Sequence, residues 1–150
     1  MRFFIRGLGG FGAKGTFVSP FPKLPDRAPD EIVDCPTDKN QALLYRLTGD
    51  PNSLHVDPKM AASGGFEIPI LHGLCTYGIV ARAIYTKYCD GDPSLIKSVN
   101  SRFTSFVYPG ETIVVEMYKE GNKIIYSAKT KERELQVVIG FVEIAVTSKL

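Results

Sequence analysis

His72-Gly73-Leu74-Cys75-Thr76-Tyr77-Gly78-Ile79-Val80-Ala81-Arg82-Ala83-Ile84-Tyr85-Thr86-Lys87-Tyr88 is the stretch whose reading decides the fold. Wound as a helix, it places Leu74, Cys75, Tyr77, Gly78, Val80, Ala81, Ile84 and Tyr88 around most of its circumference. A helix on the surface of a domain needs only one apolar stripe, so one that is apolar nearly all round is expected to be buried on most sides. Gly73 and Gly78 lower helix propensity, which points to close backbone approach at both positions. Asp90-Gly91-Asp92-Pro93 ends the helix. Arg82 and Lys87 interrupt the most apolar segment, and no stretch reaches the roughly 18 apolar residues that a membrane span requires.

Beyond the helix the chain alternates as strands do. Ser98 to Val107 leads into the turn Tyr108-Pro109-Gly110, Thr112 to Lys119 returns across Glu120-Gly121-Asn122 to Lys123–Lys131, and Leu135 to Val146 completes the run. The short turns predict that consecutive strands pair antiparallel. Ahead of the long helix, Thr37-Asp38-Lys39-Asn40 opens a short helix over Gln41–Leu47, with Ala42, Leu43, Leu44 and Leu47 at helical spacing and Gly49 as its stop. A second short helix starts at Asp57-Pro58, aspartate as cap and proline in the first turn, and ends at Ser63-Gly64-Gly65. The sum is an α+β domain in which a curved antiparallel sheet wraps one long central helix, the arrangement called the hot-dog fold.

We assign that domain to residues 31–147. Residues 1–30 read as an extended lead-in with an edge strand near Lys14 to Val18. The lead-in contains Gly7-Leu8-Gly9-Gly10-Phe11-Gly12, formally GxGxxG, but a dinucleotide site needs that turn to open a helix. Pro20, Pro22, Pro25 and Pro29 come next instead, and the match is accidental. With 150 residues, 44% hydrophobic and 23% charged, the composition is that of one soluble globular domain. A net charge of +2 without a basic cluster predicts no nucleic-acid partner. Cys35, Cys75 and Cys89 form neither a disulfide framework nor a zinc pattern, and with His55 and His72 as the two histidines no metal site is expected.

Chemistry-bearing residues concentrate in Tyr45-Arg46-Leu47-Thr48-Gly49-Asp50-Pro51-Asn52-Ser53-Leu54-His55-Val56-Asp57-Pro58. Here a carboxylate, an amide and an imidazole share six residues of loop between two helices. Asp50 and His55 can converge on one water, and groups of different pKa suit paired acid and base work near neutral pH. Asn52 can orient either partner through its amide. Taken alone, the same letters also describe a turn and a cap, with Asp50 and Asn52 as turn formers.

The surrounding sequence favours the chemical reading. The loop resembles the hydratase 2 motif of MaoC-like enzymes, and Pro69-Ile70-Leu71-His72-Gly73-Leu74-Cys75-Thr76-Tyr77-Gly78 and the turn Tyr108-Pro109-Gly110 are similar to further elements of that family. Ile5-Arg6-Gly7-Leu8-Gly9-Gly10-Phe11-Gly12 resembles the linker before the second hot-dog repeat of peroxisomal multifunctional enzymes of type 2. One departure is Ser53, where the family has proline; this chain carries Pro51 earlier in the loop.

The resemblance implies an (R)-specific hydro-lyase that adds water reversibly to trans-2-enoyl-CoA, giving (3R)-3-hydroxyacyl-CoA, with no cofactor beyond the CoA thioester. It implies Asp50 and His55 as the acid/base pair, Asn52 as their positioner and the backbone N–H of Gly73 as donor to the thioester oxygen. Gly73 stands at the start of the long helix, where unpaired N–H groups favour developing negative charge. His72 reads as a loop-bonding residue or substrate contact. Arg82, Arg102 and Lys119 are the cations considered for CoA phosphates, Arg102 first because Ser101-Arg102-Phe103 resembles a family strand segment, which makes Arg102 and Phe103 candidate substrate contacts. A lone repeat leaves an apolar face uncovered, so a homodimer is expected, or else pairing with a separate noncatalytic repeat or a longer enzyme of which this is a fragment. Ser148-Lys149-Leu150 matches a receptor-read peroxisomal address, which predicts an import-receptor partner and the peroxisomal matrix. The rival readings are a hot-dog acyl-CoA thioesterase and a noncatalytic acyl-CoA-binding module.

Overall fold

A computed structural model describes Gly12 and residues 21–145. The expected strand at Lys14–Val18 and the tripeptide Ser148–Leu150 lie outside the described residues. Five strands, β1 (Glu31–Pro36), β2 (Ile96–Phe103), β3 (Thr112–Glu120), β4 (Lys123–Thr130) and β5 (Gln136–Ile144), form one sheet in the order β1-β3-β4-β5-β2, with every neighbouring pair antiparallel. The helices are α1 (Gln41–Arg46), α2 (Pro58–Ser63) and the long α3 (Gly73–Tyr88), with a single 3₁₀ turn at Ser53–His55 between α1 and α2. This is the hot-dog architecture expected from the sequence. Among the described residues no helix is long and apolar enough to cross a membrane.

Pairing differs from the expectation in two places. β2 does not pair with β3, its neighbour in sequence; it lies on the far edge against β5, in register from Ile96↔Ile144 to Phe103↔Val138. The vacated edge of β3 is taken by β1, a strand that the alternation pattern does not reveal. The reason lies in residues 104–111, which cross between edges instead of forming a hairpin. Glu111, almost fully buried, accepts from the Tyr108 N–H and from Arg133, whose Nε and Nη2 sit 2.5 and 2.8 Å from its two oxygens. Arg133 also donates to the Phe106 carbonyl at 2.9 Å and stacks over the Phe106 and Tyr108 rings. So braced, the crossing buries Val107 and offers its carbonyl to the Leu71 N–H at 2.7 Å, which anchors the entry to α3.

Cover over α3 comes from one side. Thr76, Val80, Ala83 and Ile84, spaced as one helical stripe, are buried, and Ile84 is completely enclosed. A fully buried side chain of that size contributes about 1.5–3 kcal/mol. Leu74 remains 44% exposed, and Tyr77, Ala81, Tyr85 and Tyr88 are half-buried. The expectation of burial on most sides is therefore not met within this chain, because a single curved sheet reaches only part of the helix surface. The two glycines divide accordingly. A Cβ on Gly73 would touch the Phe103 ring at 3.4–3.6 Å, whereas one on Gly78 would meet nothing within 4 Å among the described residues. On α1 only Ala42 is buried; Leu43 and Leu44 are exposed and Leu47 is 84% exposed.

Candidate active site

The polar loop begins where α1 stops. The Thr48 and Gly49 N–H groups close on the Tyr45 and Arg46 carbonyls, and Gly49 turns the chain at φ +104°, a conformation a side chain would strain. Asp50 then folds back: its Oδ1 accepts from the Asn52 N–H at 3.0 Å. Asn52 repeats the device, its Oδ1 accepting from the Leu54 N–H at 3.1 Å and capping the 3₁₀ turn that carries His55. These are the short side chain-to-backbone bonds that Asp and Asn form wherever the chain turns. Each consumes one oxygen and leaves the other end of the side chain available. Asp50 keeps Oδ2, which is shielded from solvent and has no hydrogen-bond partner among the described residues. Asn52 keeps Nδ2, placed 3.4 Å from Nε2 of His55, so serine at position 53 still allows the amide to face the imidazole.

His55 is buried, 7% exposed, and its Nδ1 lies 2.8 Å from the Ile70 carbonyl. A carbonyl oxygen only accepts, so Nδ1 carries the proton and Nε2 of the neutral ring is a lone-pair acceptor. The Val107–Leu71 bond fixes the strand of backbone that presents this carbonyl. Next in sequence, His72 caps α3: its Nδ1 accepts from the Leu74 N–H at 3.0 Å. Its carbonyl takes the Cys75 N–H at 2.9 Å. The Gly73 N–H, the first of the helix, has no hydrogen-bond partner among the described residues. It is a free donor at the positive end of a sixteen-residue helix.

One donor atom each from Asp50, His55 and His72 fall within 4.8 Å of one another, with the two imidazole centroids 4.7 Å apart and the Tyr45 ring 5.1 Å from His72. That spacing could hold a metal ion, but the hydrogen bonding speaks for water. With Nδ1 accepting from backbone, neutral His72 carries its proton on Nε2 and has no free lone pair to ligate with. Burial, followed by the adjacent His55, pushes the His72 pKa down, while Asp50 opposes the shift. The ring nitrogens left over by these backbone bonds are an acceptor on His55 and a donor on His72, beside the Asp50 carboxylate.

The structure brings Asp50, Asn52, His55 and His72 together, with Gly73 next to His72 in the chain and Phe103 set against it. It does not bring the cations there. Arg102 neighbours Phe103 on a strand and so points to the opposite face, in register with Ile139. Arg82 is near enough to Cys35 for its charge to oppose the rise that burial gives the Cys35 thiol pKa. Lys119 stacks on Tyr88, at the far end of the helix and about 22 Å from Gly73 at 1.5 Å per residue. The Ile70 carbonyl and the Tyr45 ring are parts of the site that the sequence does not single out. The first acts through backbone, which no letter encodes; the second stands at the head of the polar segment but has no partner until α3 is placed.

The family described as "MaoC like domain" matches residues 20–139. The chain is 53% identical over 131 residues to "Probable enoyl-CoA hydratase 2" of Dictyostelium discoideum, covering 85% of this chain and 45% of that one. It is 45% identical over 150 residues to "Enoyl-CoA hydratase 2, peroxisomal" of Arabidopsis thaliana, covering 94% and 48%. Among solved structures, a MaoC-like dehydratase from Phytophthora capsici superposes with a TM-score of 0.87 at 42% identity, over 95% of this chain and 49% of that one. The chain thus spans about half the length of the curated relatives it matches. Both the polar loop and the tip of α3 fall inside the matched span, and the chain belongs to the MaoC-like domain family.

Proposed function

We propose that this chain hydrates trans-2-enoyl-CoA to (3R)-3-hydroxyacyl-CoA, reversibly and at the cluster described above. The observation that carries the reading is the convergence of Asp50 Oδ2, unpartnered among the described residues, with His55 Nε2, reached only at 3.4 Å by the Asn52 amide, beside the chain that leads through His72 to the Gly73 N–H. A water seated on the two acceptors adds its oxygen to C3 while one of them takes its proton. The π electrons of the C2–C3 bond move toward the carbonyl, and the Gly73 N–H stabilises the charge arriving on the thioester oxygen. Donors so placed contribute about 3–4 kcal/mol of transition-state stabilisation. Collapse of the enolate takes up one proton at C2, so the sum is one water gained with no net proton change and no cofactor required. Phe103, lying across Gly73, forms one wall for the acyl chain.

Incubation with crotonyl-CoA is the direct test. The expected result is loss of enoyl-thioester absorbance and formation of the (3R) alcohol by chiral analysis. Release of free CoA from a saturated acyl-CoA, with the enoyl absorbance untouched, would replace this reading with a thioesterase; tight binding without turnover would replace it with a carrier module.

We also propose a homodimer. Among the described residues Leu43, Leu44, Leu47 and Leu74 are exposed, β2 is an edge strand of the sheet, and nothing stands within 4 Å of a Cβ built on Gly78. Light scattering at micromolar concentration is expected to give twice the chain mass; a stable monomer would overturn the dimer. A peroxisomal setting is proposed from the printed name of the Arabidopsis relative. Arg102 as a phosphate contact would have to act from the outer face of the sheet.

A further inference from the structure

We infer that His72 is a positioning residue for the hydration, holding the attacking water through an Nε2–H donor while its Nδ1 caps the long helix. The inference rests on the hydratase reading and adds a component to it. Asp50 Oδ2 and His55 Nε2 are both acceptors, the latter once a water takes the place of the long Asn52 contact, and a water donating to both still has two lone pairs. One lone pair must point at C3. The other, left without a donor, would let the water rotate and point the wrong pair at the substrate.

Two N–H groups can supply that donor. Asn52 Nδ2 is 3.4 Å from the His55 nitrogen and is partly engaged there. His72 is the second, and its backbone partner decides its state. The Leu74 N–H donates to Nδ1 at 3.0 Å, and this bond is possible only when Nδ1 is unprotonated, which leaves the ring's single proton on Nε2. Protonation of His72 would set two N–H groups against each other at the cap and place a cation on the positive end of a helix. The lowered pKa of His72 agrees in direction. The two histidines, with rings 4.7 Å apart, therefore hold opposite tautomers: His55 is protonated on Nδ1 by an accepting carbonyl and His72 on Nε2 by a donating amide. One is built to take a proton from water and the other to give it a hydrogen bond.

The two jobs of His72 can be separated. Asparagine reproduces the Nδ1 position and keeps the cap, while glutamine reproduces the Nε2 position and keeps a distal N–H. For His72→Asn the melting temperature is expected to stay near wild type while kcat for crotonyl-CoA falls about tenfold with KM within twofold, the size of one lost positioning bond. For His72→Gln the order reverses: a lower melting temperature and a kcat above that of the asparagine variant. A kcat that follows melting temperature across the two variants would reduce His72 to a cap and overturn the inference. Because the chain has only two histidines, imidazole ¹⁵N NMR gives a readout that needs no turnover. Two neutral rings of opposite tautomer are expected, assigned by the loss of one set in His72→Asn. An Nδ1–H tautomer at His72 in an active enzyme overturns this inference alone. Opposite tautomers in a chain that does not hydrate crotonyl-CoA would instead overturn the hydratase reading and this inference with it.

Discussion

Replacing Asp50 with asparagine is expected to leave the protein folded and to lower crotonyl-CoA hydration by about 10²–10⁴-fold, the range over which positioned acid/base groups act. Retention of the fold is expected from the division of labour within the carboxylate. Oδ1 holds the turn by accepting the Asn52 N–H, and an asparagine Oδ1 accepts it equally well. Oδ2 has no partner among the described residues, so converting it to an amide nitrogen breaks no bond seen there. Loss of activity is expected from polarity. At the place where water needs an acceptor the variant presents N–H donors, so the water loses both its anchor and its route for a proton. Thermal melts monitored by circular dichroism should place the variant within a few degrees of wild type, and initial rates of enoyl absorbance loss should separate the two proteins widely. Wild-type hydration by a folded Asp50→Asn protein would remove Asp50 from the mechanism.

Much of this architecture is legible in the sequence because it is written locally. α3 announces itself by apolar positions at helical spacing, β3 and β4 by alternation around Gly121, and α2 by Asp57, whose carboxylate accepts the Lys59 N–H at 2.8 Å. The Asp50 and Asn52 turns belong to the same class, each closing within two residues. What is not legible depends on partners distant along the chain. β1 has only six residues, places Ile32 in solvent, ends on a proline suited to an edge, and acquires its meaning from β3 some eighty residues later. The path of residues 104–111 depends on Arg133 finding Glu111. In the site, the tautomers of His55 and His72 are set by a carbonyl and an amide whose identities any residue would share. The letters name the acid/base groups; the fold decides which nitrogen carries the proton.

A substitution far from the water site is expected to have the largest effect on stability. Gly140 on β5 lies opposite Ser101 of β2 and Tyr126 of β4. A Cβ added there would land on the Asn100 carbonyl oxygen and 2.5 Å from the Tyr126 hydroxyl. Neither obstacle is the free end of a flexible chain. The carbonyl belongs to the backbone of β2. The hydroxyl, whose pKa burial pushes up to about 12, is bonded to Ser101 Oγ at 2.5 Å and donates to that same Asn100 carbonyl at 3.2 Å. Gly140→Ala must therefore push β2 away from β5 and strip a buried phenol of its partners. Overpacking of this kind costs about 1–3 kcal/mol and more where backbone has to move. Taking roughly 3 kcal/mol, the melting temperature of a chain this size should fall by about 6–12 °C. Adding Tyr126→Phe removes the hydroxyl but not the carbonyl, so most of the loss should persist in the double variant; recovery of more than half would assign the clash to the phenol. Because β2 also carries Phe103, the wall beside Gly73, a displaced strand should raise KM for crotonyl-CoA while leaving Asp50 and His55 in place. A Gly140→Ala protein melting within two degrees of wild type would mean that the β2–β5 edge yields at little cost, and the placement of Phe103 by that edge would have to be abandoned.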